Sequence, residues 1–201
     1  MNKKIAFEMI SQIAEECIKN NITFNLSAEK KVCLVNEPKE LGCSGFFDPD
    51  YKILSVATQK AFKDWFPILL HEYNHMLQYI EKPEFFGEED RLWEWLTNKI
   101  ELTKKDIKKV IDTTREIELD CEIRTVKMIE ARSELEINID DYIKKANSYL
   151  YFYSIVAKHR KWSNKPPYSI KEIVELMGNK FIKNYWKMPD GYEELVIKYC
   201  L

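Results

Sequence analysis

A chain of 201 residues that is 45% hydrophobic has enough apolar side chain to bury a single domain core. Lys+Arg 31 against Asp+Glu 33 leave a formal net charge of -2, so the basic excess or stripe of a nucleic-acid footprint is missing and no nucleic-acid partner is expected. Five cysteines, Cys17, Cys33, Cys43, Cys121 and Cys200, form no CxxC pair and are odd in number, which argues for reduced thiols and a cytoplasmic setting.

The N-terminal stretch MNKKIAFEMISQIAEEC opens on lysines, but Glu8 interrupts the apolar run a signal peptide needs, so it reads as an amphipathic helix. No apolar run reaches the roughly 18 to 20 residues of a membrane span, and no membrane partner is expected. Residues 22–57 change character. ITFNL, KVCLVN, CSGFF and KILSVAT are short, rich in β-branched and aromatic residues, and separated by Pro, Gly, Asp and Asn, so they predict strands, with Asp48-Pro49-Asp50 as a turn.

From residue 60 the periodicity is helical. Asp64 is the expected N-cap of a helix reaching about Tyr79, with Pro67 in its first turn and Pro83 ending it. EEDRLWEWLTNKI sets Leu92, Trp93, Leu96 and Ile100 on one side. Thr103 and Asp106 open a long helix to about Arg132 in capping-box fashion. On it, Lys104-Lys105 and Lys108-Lys109 flank Ile107 and read as a solvated face rather than a phosphate site. Asp140 or Asp141 begins another helix through YIKKANSYLYFYSIVAKHRKW, and Ser169 with Glu172 caps a shorter one ending at Gly178. The expected fold is α+β: a single domain over 1–201, with a helix and a small, mostly antiparallel sheet in 1–60, helices carrying the site in 61–132, and a helical C-terminal part in 133–201.

Within LLHEYNHMLQ, residues 69–78, His71, Glu72 and His75 form an HExxH pattern in a chain with three histidines. Residues four apart on a helix lie one above the other, so the two imidazoles can address one ion. Glu72, about 100° round the axis, can hold a water there without itself being a ligand. Two buried histidines can also simply bond to backbone carbonyls, yet the number of chance matches expected at this composition is only about 0.005.

A catalytic zinc takes three protein ligands. His159 is the only other histidine and no HExxHxxGxxH extension follows, so a carboxylate is expected. In REIELDCEIRTVKMI, helical phase at about 100° per residue puts Val110, Ile111, Cys121, Met128 and Ile129 within roughly 60° of Ile107. Glu118 falls in the middle of that apolar stripe and Glu122 on its margin, whereas Glu116 and Asp120 point away. A carboxylate on a buried face needs compensation, which ligation by Glu118 or a salt bridge to Arg115 or Arg124 would each provide. Glu122 is placed to orient a ligating histidine or to replace Glu118 as the ligand.

HEYNH followed by a later helix bearing ELDCE resembles the gluzincin branch of the zincin-like metallopeptidases, over about residues 43–130. The ELD of Glu118 to Asp120 is similar to the E-A-N/D helix of ImmA/IrrE-like regulatory peptidases. The whole pattern is similar to proteins of T4-like tailed phages that carry no assigned activity, which implies a host cytoplasm. The gluzincin resemblance implies Zn2+ held by His71, His75 and Glu118, with Glu72 as general base in the hydrolysis of a protein or peptide substrate. It also implies an edge strand that pairs with the substrate, for which KILSVAT stands in the right place. Asn74 departs from it by standing where many such motifs have Gly. Tyr149, Tyr153 and His159, together with Tyr142 and Arg160, are candidates for an oxyanion partner, although an aromatic stripe at this spacing also suits core packing.

Two other readings compete. One is a catalytically silent zincin-shaped regulatory or protein-binding module, for which the aromatic stretch from WSNKPPY to NYWKMPDGY suits a surface. The other, a DNA-associated protease of the SprT kind, needs a basic or zinc-ribbon extension that the cysteine spacing does not offer. Residues 81–91, EKPEFFGEEDR, are a candidate lid, and oligomeric state leaves no mark in the sequence.

Overall fold

The computed structural model describes residues 3–34 and 42–201. It is α+β, a small three-stranded sheet near the N-terminus followed by a helical body. The chain divides into two compact units: Met1–Pro83 with Arg124–Ile137, and Glu84–Ile123 with Asn138–Leu201.

In the first unit, helix α1 (Lys3–Lys19) buries Ala6, Met9, Ile13 and Cys17, an apolar stripe at spacings of three and four. Strands β1 (Thr23–Ser27), β2 (Gly45–Asp48) and β3 (Ile53–Ala57) form a sheet in the order β1-β3-β2. β1 runs parallel to β3 from Thr23↔Ile53 to Ser27↔Ala57, and β2 antiparallel to it from Gly45↔Val56 to Asp48↔Ile53. The sheet is therefore mixed. β3 is its central strand, not the edge expected of KILSVAT, which is why Leu54, Ser55, Val56 and Ala57 are all buried. Of the two edge strands, β2 is the one that packs on the motif helix. Asp48 Oδ1 accepts from the amides of Asp50 and Tyr51, both at 3.0 Å, and so closes the expected turn. Of KVCLVN, the described part forms only an isolated bridge, Val32↔Cys43; residues 35–36 lie outside the described residues.

Helix α2 (Phe62–Glu81) packs on β2 and β3. Its N-cap is Ala61, three residues before the expected one, and Asp64 instead supplies a negative charge to the first turn. Pro67 consequently lies inside the helix, where its ring is buried and the bond to Lys63 O is forgone. Cys17 Sγ meets Met76 Sδ at 3.5 Å, joining α1 to α2.

In the second unit, α3 (Gly87–Leu96) buries Leu92 and Trp95, while Trp93 remains 47% exposed, contrary to the expected face. Residues 81–91 are thus the end of α2, a 3-10 turn over Pro83–Phe85 and the start of α3. Helix α4 (Lys104–Glu130) opens with Thr103 and Asp106 bonded as expected, and its last turns belong to the first unit. Helix α5 (Ile139–His159) is capped by Asn138, which accepts from the Asp141 amide, rather than by Asp140 or Asp141. It ends at Arg160, held at φ 48 while its guanidinium donates to Trp95 O and Ile100 O.

Short helices α6 (Lys171–Glu175) and α7 (Tyr192–Tyr199) follow. Ser169 bonds Pro166 O and does not cap α6. Much of the aromatic C-terminal stretch is core: Tyr185 donates to Asn147 and Tyr192 to Ser148 O, both rings fully enclosed.

Candidate metal centre

α2 brings His71 and His75 together four residues apart. Their Nε2 atoms stand 3.1 Å from each other, with the rings nearly perpendicular at 87°. Two nitrogen donors at about 2.0–2.1 Å from one tetrahedral ion would be about 3.4 Å apart, so the pair needs little adjustment to share an ion. His75 is buried and His71 half-buried. On the next turn the buried Gln78 faces His75, Oε1 to Nδ1 at 3.0 Å. Its i+3 spacing from His75 was the available signal for this partner.

Glu72 is half-buried beside β2. A Cβ at Gly45 would come within 2.8 Å of Ile68 Cγ2 and 3.1 Å of Glu72 Cγ, so only glycine lets this edge strand lie so close to Glu72. Nearby, desolvation and, after it, the Glu72 carboxylate together push the Cys43 thiol up to about 11. Asn74 has room beside this helix and bonds on both sides. Its buried amide donates to Leu70 O at 2.8 Å and to Thr125 Oγ1 of α4 at 3.1 Å.

Along α4, Glu118, Cys121, Glu122 and Thr125 share one face at spacings of three and four, and all four are buried, while Glu116 and Asp120 are exposed as their phase requires. Each carboxylate receives a tyrosine from α5: Tyr153 Oη donates to Glu118 Oε1 at 3.2 Å, and Tyr142 Oη to Glu122 Oε2 at 2.5 Å. Arg115 turns instead to Leu150 O, Ser154 Oγ and the face of Trp186, and burial lowers its pKa. Arg124 holds both carboxylate oxygens of Glu81.

Among the described residues, His71, His75 and Cys121 make a donor group that could hold a metal ion. Imidazole and thiol donors with carboxylates close by in sequence fit a borderline cation such as zinc. In the sequence Cys121 is only an apolar position of the stripe, because a lone cysteine looks the same there as a small hydrophobe.

Tyr153 is engaged with Glu118, and Tyr149 lies among Tyr153, Trp162 and Tyr168 with ring centroids 5.5 to 6.4 Å away. His159 is exposed at the end of α5, 2.9 Å from Glu193, and Arg160 serves the helix end. No disulfide joins any of the five cysteines, and no described helix is long and apolar enough to cross a membrane. No family model, curated protein or solved structure matches the chain.

Proposed function

We propose that the chain is a zinc-dependent metallopeptidase of gluzincin type, acting on a protein or peptide in the cytoplasm, that of a host cell if it is related to the tailed-phage proteins. The observation that carries this reading is the 3.1 Å approach of the two Nε2 atoms with Glu72 on the adjoining helix position. His71 and His75 are the first two ligands and Glu118, steadied by Tyr153, the third, with Cys121 or Glu122 as the competing donor. Bound zinc supplies Lewis acidity to a peptide carbonyl and to a water. Glu72 orients the water, takes its proton and returns it to the departing amine. Strand β2, which Gly45 lets lie close to Glu72, is the strand on which an extended substrate would pair.

One observation favours a second reading. If Cys121 and Glu118 both join the two histidines, four protein ligands close the tetrahedron and leave no position for water, the arrangement of a structural zinc. The protein would then be a catalytically silent regulatory or binding module.

Metal analysis of protein purified without chelator, together with digestion of denatured protein mixtures, separates these readings. The expected result is about one zinc per chain, lost in His75→Ala and in Glu118→Ala but kept in Cys121→Ser, and cleavage that disappears in Glu72→Gln while zinc remains. Zinc lost in Cys121→Ser as well as in His75→Ala and Glu118→Ala, with no Glu72-dependent cleavage, favours the silent module. No zinc in the wild type, even after it is added back, sinks the peptidase and leaves a zincin-shaped binding module.

A further inference from the structure

We infer that Gln78 is a positioning residue for the metal centre: its amide oxygen keeps the His75 proton on Nδ1 and, through the contact between the rings, also sets the tautomer of His71. The inference rests on the zinc reading above, but its starting point is a hydrogen-bond chain along one stripe of α2. Gln78 Oε1 lies 3.0 Å from His75 Nδ1, and both residues are 8% exposed, which leaves little room for water to take the place of either partner. A carbonyl oxygen only accepts, so the ring nitrogen facing it must carry the hydrogen. His75 is then the Nδ1–H tautomer, with its lone pair on Nε2.

That lone pair faces His71 Nε2 at 3.1 Å. The hydrogen in this contact cannot come from His75, whose proton is on the other nitrogen. His71 must therefore donate it, as the Nε2–H tautomer. In the metal-free chain the order is fixed in one direction: His71 Nε2–H to His75 Nε2, then His75 Nδ1–H to Gln78 Oε1. The two ligands are consequently not equivalent. His75 already presents a lone pair toward the ion, whereas His71 has to move its proton from Nε2 to Nδ1 before it can ligate.

The residue type suits this task. A glutamate at 78 would orient the ring as well, but would place a second charge among buried groups that need compensation. A leucine would fill the space without accepting the hydrogen.

The test uses the full chain labelled with 15N, freed of metal, with long-range 1H–15N correlations reading the tautomer of each imidazole. The chain has three histidines, and His159→Gln identifies the exposed one. Expected are Nδ1–H for His75 and Nε2–H for His71, and a change to Nδ1–H at His71 alone when zinc is added. In parallel, zinc affinity is measured by competition with a chromophoric chelator. Gln78→Leu should weaken binding by about 10- to 100-fold, and Gln78→Glu, which keeps the acceptor, should restore wild-type affinity. An Nε2–H tautomer at His75 in the wild type overturns the inference without any variant having to fold. Equal zinc affinity in wild type and Gln78→Leu overturns it alone and leaves the zinc reading standing. A wild type that takes no zinc overturns the zinc reading and this role with it.

Discussion

At Glu72 a single carboxylate is expected to do chemistry, and its charge is already felt by a neighbour that can be followed without any substrate. Burial is the main reason that the Cys43 thiol stands at about 11, and Glu72 adds to it because an anion penalises formation of a thiolate. The sign is therefore definite. Glu72→Gln removes the charge, lowers the Cys43 pKa toward the value that burial sets alone, and increases the thiolate fraction at mildly alkaline pH. Alkylation of Cys43 by iodoacetamide, followed by peptide mass mapping as pH is raised, should run severalfold faster in the variant. Identical rate profiles would show that the carboxylate does not reach the thiol. Gly45 makes the approach possible, since any Cβ there would push against Ile68 and Glu72.

Among the elements, α2 combines two duties that usually conflict. One side is a packing surface of Trp65, Phe66, Leu69, Leu70 and Met76, and the motif adds a buried set of polar side chains, Asn74, His75 and Gln78, to the same helix. Buried polar groups are tolerated when bonded, and each of these has a partner at hydrogen-bond distance. Asn74 also ties α2 to the last turns of α4 through Thr125. Asn74→Ala should cost about 1–3 kcal/mol, because the hydroxyl of Thr125 is buried at 0% exposure. In urea denaturation, Asn74→Ala with Thr125→Val should cost less than the sum of the two single changes. Strict additivity would mean that the two side chains are not coupled.

At the scale of the whole molecule, helix α4 runs through both compact units, with Glu118, Cys121 and Glu122 before the boundary and Thr125 after it. A metal held by the folded chain and not by the unfolded one stabilises it by mass action, by about 2.7 kcal/mol at a hundredfold excess over the dissociation constant. Thermal unfolding should therefore shift upward with added zinc and return when a chelator is supplied. His75→Ala should unfold at one temperature with or without zinc. An unchanged wild-type transition at saturating zinc would count against a resident ion, and an equal shift in His75→Ala would place the ion elsewhere.

Much was decided by local pattern. The stripe Ala6, Met9, Ile13 and Cys17, the HExxH helix and the buried phase of Glu118 and Glu122 all follow from the 3.6-residue period, which a short window of sequence contains in full. Cap positions slipped by three residues at Asp64 and by two or three at Asp140 or Asp141. Several polar residues there compete for the cap, and the backbone leaves the helical region at only one position, Ala61 in one case and Asn138 in the other. Choosing Trp95 over Trp93 for the core required knowing what packs against α3. Tertiary structure alone decided that β3 is central, that Tyr142 and Tyr153 reach the two glutamates, and that Tyr185 and Tyr192 are core. Each of these depends on which distant segments become neighbours. Strand order and side-chain partners are properties of the closed chain, and no helical or strand period within one segment specifies them.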